Sequence, residues 1–175
     1  MSKQRNKPWH GRFEHATEPT VEQFVESVSF DRRLAKYDLA GSLAHARMLR
    51  ETGLLSAREL SAIRTSLEAI DREIEAGEFT FDVGLEDIHM NIEAALVDRA
   101  GEAGKKLHAA RSRNDQVALD LRLWARDECD RLAEGIKRLQ SALVDQAGAH
   151  DDVVMPAYTH LQPAQPVLLA HVLLA

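Results

Sequence analysis

The sequence predicts an all-α fold, and three observations carry that prediction. Apolar residues recur at steps of three and four, helix start and stop signals bracket the periodic runs, and strand-type alternation is nearly absent. The chain has 175 residues, 45% of them hydrophobic and 29% charged, which is enough to bury a sizeable core.

The elements follow in order. A short arm leads to a first helical segment near 21–26, with Pro19 in its first turn, where a missing N–H costs nothing. Ser29 is placed to cap a second helix carrying Leu34, Tyr37, Leu39, Leu43, Ala46 and Leu49, and Gly53 stands where a C′ residue belongs. Ser56-Ala-Arg-Glu59 is a capping-box pattern ahead of Leu60, Ile63, Leu67, Ile70 and Ile74, a run closed by Gly77. After a loop with Phe79 and Phe81, a fourth helix is expected over about 86–99, ended by Gly101, and 101–110 reads as a connection. Residues 112–149 contain no proline, and Gly135 is the only glycine before Gly148. A helix of that span would be about 55 Å long, the kind found in large bundles shared between subunits. Two helices broken near 134–135 are the alternative. Prolines 156, 163 and 166 make 156–166 a bounded loop, with Pro166 suited to the first turn of another helix. The uncapped apolar run after it leads us to expect either a longer polypeptide or a covering chain.

Several function classes are excluded or weakened. Lys+Arg 22 against Asp+Glu 28 gives a net charge of −6, which argues against a general nucleic-acid binder. Residues 153–175 carry no Asp, Glu, Lys or Arg, but three prolines, His160 and His171 interrupt them, so a spanning helix of about 20 apolar residues is not available. Cys129 is the one cysteine, and the first residues show charges without an apolar signal region. A reducing, cytoplasmic setting is expected.

Three segments can carry chemistry. Residues 105–115 hold Lys105, Lys106, Arg111 and Arg113 against the single acid Asp115, at the start of the long helix, where free N–H groups favour an anion. Arg111 and Arg113 can grip carboxylates, with Ser112 and Asn114 adding directed hydrogen bonds. The same run also reads as a solvated face with Ser112 or Asn114 as a cap. His160, beside Thr159 in the proline-bounded segment, is a candidate proton carrier or a plain surface histidine. Glu86-Asp-Ile-His-Met-Asn91 suits a helix start, with His89 and Asn91 facing a pocket or, by default, solvent. Ser27 and Ser29 read first as turn and cap residues. No metal-ligand spacing, tight carboxylate–histidine cluster or phosphate loop is visible in the sequence.

Taken together and in order, several segments closely resemble the argininosuccinate lyases of the fumarase/aspartase superfamily. They are Trp9-His-Gly-Arg-Phe13, Ser27-Val-Ser-Phe-Asp31, Glu86-Asp-Ile-His89, Gly104-Lys-Lys-Leu-His108, Ala110-Arg-Ser-Arg-Asn-Asp-Gln116 and Tyr158-Thr-His-Leu-Gln-Pro-Ala-Gln-Pro166. The δ-crystallins look similar too. The resemblance implies a helical N-terminal domain over 1–110 and the first part of a central helical bundle over 111–175. It implies a homotetramer with active sites shared between chains, acting without metal or organic cofactor. The implied reaction is reversible β-elimination of argininosuccinate to arginine and fumarate. By resemblance, His160 carries one proton transfer, while Ser27, Ser112, Arg113, Asn114 and Thr159 bind the substrate's polar groups, with His89 and Gln162 close by. The family's catalytic serine loop lies further downstream, so these 175 residues alone are expected to be inactive. His10 departs from the family, which usually has a second glycine there; a positive φ at that position would cost His about 1 kcal/mol. The alternatives are another fumarate-releasing lyase of the superfamily, or a non-catalytic, crystallin-like helical structural or assembly protein.

Overall fold

A computed structural model describes residues 17–175. The segment at 9–13, including His10, lies outside them. The described chain is helical with one small hairpin, and it divides into two compact units, 17–124 and 125–175.

In the first unit, α1 (Pro19–Val25) begins at the predicted proline. Ser27, rather than Ser29, occupies the N-cap place of the single-turn α2 (Val28–Asp31), while the Ser29 N–H donates to Glu26 Oε2 at 2.9 Å. A 3₁₀ turn then runs into α3 (Ala35–Glu51). α4 (Ala57–Glu75) has the capping box in full: the Ser56 Oγ accepts from the Glu59 N–H, and Glu59 Oε2 accepts from the Ser56 N–H. Gly53 and Gly77, at φ +81° and +71°, follow α3 and α4 in the left-handed conformation that favours glycine. α5 (Ile88–Ala100) starts two residues later than its pattern suggested, because Asp87 is its cap.

The core lies between α3, α4 and α5. Ala46 and Leu49 of α3, Ile63, Leu67 and Ile70 of α4, and Ile88 and Leu96 of α5 are inaccessible to solvent. Full burial of such aliphatic side chains stabilises by about 1.5–3 kcal/mol each. The stretch expected to be a plain connection contains a short helix, α6 (Glu102–Lys106), folded against α5. Gly104 permits this contact, since a Cβ there would come within 3.1 Å of Leu96 O and Val97 Cα.

α7 (Arg113–Ala149) is one continuous helix of 37 residues, so the alternative of a break near Gly135 is not adopted. A single interior glycine costs about 1 kcal/mol relative to alanine, too little to interrupt so long a run. Ser112 Oγ accepts from the Asn114 N–H at 3.1 Å, and Asp115 Oδ2 accepts from the Ser112 N–H at 3.1 Å, which caps its start.

In the second unit, Leu132, Ile136 and Leu139 of α7 recur at steps of four and three and are all more than half exposed. The proline-bounded segment forms an antiparallel hairpin, β1 (Val154–Thr159) with β2 (Gln162–Leu168), and α8 (Leu169–Leu174) begins three residues after Pro166. The expected loop is thus a pair of strands, and Pro166, suited by sequence to a helix's first turn, lies in β2. Proline excludes helix interiors, and each strand of a two-stranded hairpin has an outer edge where a missing N–H breaks no ladder bond. No helix of the described residues is long and apolar enough to cross a membrane.

Candidate active site

Ser27 is held by a strained backbone corner. Glu86 has φ 64° and ψ −64°, and the Asp87 N–H donates to Leu85 O at 2.8 Å, which together make a γ-turn. The Glu86 carbonyl accepts from the N–H groups of both Ser27 and Val28, at 2.8 and 3.0 Å. Asn91 fixes the same loop. Its Nδ2 donates to the carbonyls of Asp82 and Asp87, and its Oδ1 accepts from the Asp82 N–H at 2.7 Å. Asn91 and His89, read from sequence as facing a pocket or, by default, solvent, are buried.

A second link ties the two segments by side chains. Asp31 Oδ2 accepts from the Ser27 hydroxyl at 2.6 Å, while Asp31 Oδ1 accepts from the Ile88 N–H at 3.2 Å. Burial pushes the Asp31 carboxyl above its ordinary range despite these bonds. Asp87 caps α5 by accepting from the Met90 N–H at 2.7 Å. Burial opposes its ionisation too, but His89 and the Met90 N–H outweigh that and hold it below the usual carboxylate range.

Behind this cap, α3, α5 and α7 bring charged groups into the interior. His89 Nε2 lies 2.8 Å from Asp120 Oδ2, and both side chains are at most 2% exposed. Gln116 Nε2 donates to Asp38 Oδ1, and the Arg111 guanidinium donates twice to Ser42 Oγ at 3.2 Å. Burial raises the Asp38 pKa and lowers that of Arg111. For His89, burial works against the charged ring, yet the Asp120 bond, Asp87 and the charge of Asp38 prevail and raise its pKa to about 9. Asp38, Ser42, His89, Glu93, Arg111 and Gln116 line a tight cavity of about 10 Å³, room for about one water molecule.

Asp38, His89 and Asp120 place ligand-type atoms within 4.8 Å of one another, a carboxylate–histidine cluster that the linear sequence hid. His89 Nε2 is already engaged by Asp120 Oδ2 at 2.8 Å, and the Arg111 guanidinium is a second cation acting on the same carboxylates, so the group balances its own charge. The cluster is an ion-pair network.

Arg113, in the first turn of α7, bonds to two residues that line the cavity. Its guanidinium donates to Glu93 Oε2 at 2.7 Å and to Gln116 Oε1 at 2.6 Å, with Arg113 29% and Glu93 34% exposed. Asn114 and Ser112 are exposed beside it, the latter engaged in capping. The cationic run does not act as a block. Lys105 pairs with Glu102 and Lys106 with Glu59, each at 2.5 Å, leaving Arg111 and Arg113 directed toward the network. Ser27, His89 and Arg113 thus belong to one connected set in the first unit.

Thr159, His160 and Gln162 are in the second unit and are exposed. Thr159 pairs with Gln162 across the hairpin, and the turn residues His160 and Leu161 have φ of 52° and 62°. Two successive positive φ values are the pattern of a type I′ turn, where Asn-Gly is the favoured sequence. A histidine and a leucine there carry strain, which tends to persist at functional sites.

Asp31, Asp38, Glu93, Gln116 and Asp120 were missed as members of the set. A signal existed: Asp38 and Ser42, His89 and Glu93, and Gln116 and Asp120 each stand four apart, so each pair shares one helix face.

The sequence profile of a family described as Lyase matches residues 11–175. The chain is 58% identical over 171 residues to the argininosuccinate lyase of Methylococcus capsulatus, covering 98% of this chain and 37% of that protein. It is 59% identical over 169 residues to that of Moorella thermoacetica, covering 97% and 36%. It therefore spans little more than a third of the length of these relatives. Among solved structures, an EDDS lyase variant with bound fumarate matches with a TM-score of 0.66 at 28% identity, over 95% of this chain and 34% of that one. A fumarate lyase from Mesorhizobium sp. BNC1 matches in fold, with a TM-score of 0.60 at 21% identity, over 92% of this chain and 37% of that one. On the profile's near-complete span, the chain belongs to the lyase family, and the curated relatives it resembles at more than half identity are argininosuccinate lyases.

Proposed function

We propose that this chain forms part of an argininosuccinate lyase, splitting argininosuccinate reversibly into arginine and fumarate in arginine biosynthesis. The observation that carries the proposal is the polar network in which Asp31 bonds 27–31 to 86–89, while His89 bonds Asp120 and Gln116 of 111–116 bonds Asp38; those three segments resemble the argininosuccinate lyases. Residues distant in sequence come together there with the groups that a dicarboxylate needs.

Removing a proton from the carbon next to a carboxylate builds negative charge on that carboxylate, so fixed donors must meet it. Arg113 and Asn114, in the first turn of α7, supply a guanidinium, an amide and the positive end of a helix. An incoming carboxylate would exchange with Glu93 on Arg113. Ser27, Ser112, Thr159 and Gln162 add neutral hydrogen bonds, and His89 adds a nearby positive charge. His160, held beside Thr159, carries one of the two proton transfers: carbon to base, or acid to the departing guanidino nitrogen. In this proposal residues 1–110 are a helical N-terminal domain and 111–175 the first part of a central bundle. The assembly is a cytoplasmic homotetramer, and the exposed apolar stripe on α7 supports such packing.

The match to an EDDS lyase with bound fumarate favours a second reading, a fumarate-releasing lyase with another amino substrate. Thermal-shift measurements on the protein at its full encoded length separate the two. Stabilisation by arginine with fumarate is expected; a response only to AMP or aspartate would overturn the argininosuccinate reading.

A further inference from the structure

Both ring nitrogens of His89 face carboxylates. Nε2 lies 2.8 Å from Asp120 Oδ2, and Nδ1 lies 3.8 Å from Asp87 Oδ2 without a hydrogen bond. A neutral ring would turn a lone pair toward one of these acids, so the geometry asks for a proton on each nitrogen. The surroundings ask for it as well. Asp38 is 1% and Asp120 0% exposed, and one oxygen of each has no hydrogen-bond partner. Two such buried charges need cations beside them. Asp120 faces the ring from α7, Asp38 from α3 and Asp87 from the cap of α5, with Asp31 beyond and Arg111 as the second cation. None of Asp38, Asp120 and Arg111 has a part in the chemistry above.

We propose that Asp120 is a positioning residue for the substrate pocket: it holds the His89 ring with Nδ1–H toward Asp87, and so fixes the start of α5 beside Ser27. From Asp87 to Ser27 the path runs through hydrogen bonds. Asp87 caps α5, the Ile88 N–H of that first turn donates to Asp31, and Asp31 accepts from the Ser27 hydroxyl. This rests on the proposed substrate-binding roles of Ser27 and His89.

Histidine C2-hydrogen exchange read by mass spectrometry reports each imidazole separately, and steady-state kinetics report KM against kcat. Both are run on the protein at its full encoded length. Wild-type His89 should titrate near 9, as its surroundings dictate. Asp120→Asn should move that titration toward neutral pH and raise KM for argininosuccinate roughly tenfold at alkaline pH, with kcat within about twofold. Asp120→Glu should recover much of the affinity. A folded Asp120→Asn protein with wild-type KM overturns the proposal, as does a wild-type His89 titrating at the ordinary 6.5. If Asp120→Asn does not fold, the wild-type titration and Asp120→Glu decide. A wild type that releases no fumarate contradicts the lyase reading instead, and histidine exchange still tests the hold on His89.

Discussion

The His89–Asp120 contact makes the stability of the first unit depend on alkaline pH in a definite direction. A ring raised from 6.5 to about 9 contributes stability that is complete below about 6.5 and disappears as pH climbs through about 9. The contribution is at most about 3 kcal/mol. The melting temperature should therefore fall between pH 7 and 9.5, and Asp120→Asn should flatten that slope; a flat wild-type profile would contradict a charged ring. Arg113 gives a different prediction. Arg113→Ala should abolish turnover while leaving helical circular dichroism nearly unchanged, because Arg113 is part-exposed and bonds only to side chains, Glu93 and Gln116, so no helix backbone bond is lost. Loss of helix would instead assign Arg113 a structural role. At this scale the candidate site was half legible. Ser27, His89 and Arg113 stood in motifs, but Asp38 and Asp120 are ordinary acids in sequence, and only packing of α3 against α7 reveals them as buried.

The helices were legible where local signals suffice. The capping box at Ser56 predicts its own energetics, and Ser56→Ala should cost about 1 kcal/mol of stability by chemical denaturation. Glu59 also accepts from Lys106, and that bond with the capping bonds holds its pKa at about 2, so the box stays formed in mild acid. Gly104 is a packing glycine rather than a turn glycine. Gly104→Ala must shift α6 against the α5 backbone and should destabilise by more than the Ser56 change, whereas a neutral effect would show that the two helices yield freely. The hairpin and α6 were not legible. Proline marks where a helix cannot continue but does not name what replaces it, and the five residues of α6 are too few to show periodicity.

For the whole molecule, the exposed Leu132, Ile136 and Leu139 are the part of the proposed assembly that this chain displays. An unpartnered stripe of this kind on a long helix is a surface that association buries. Ile136→Asp should shift the full-length protein from tetramer toward smaller species by light scattering, and an unchanged mass would detach this face from the assembly. The proposed reaction is observable by incubating the full-length protein with argininosuccinate and following the ultraviolet absorbance of fumarate. We predict that fumarate and arginine appear in equal amounts and that Arg113→Ala abolishes both; no release by the folded wild type would contradict the account.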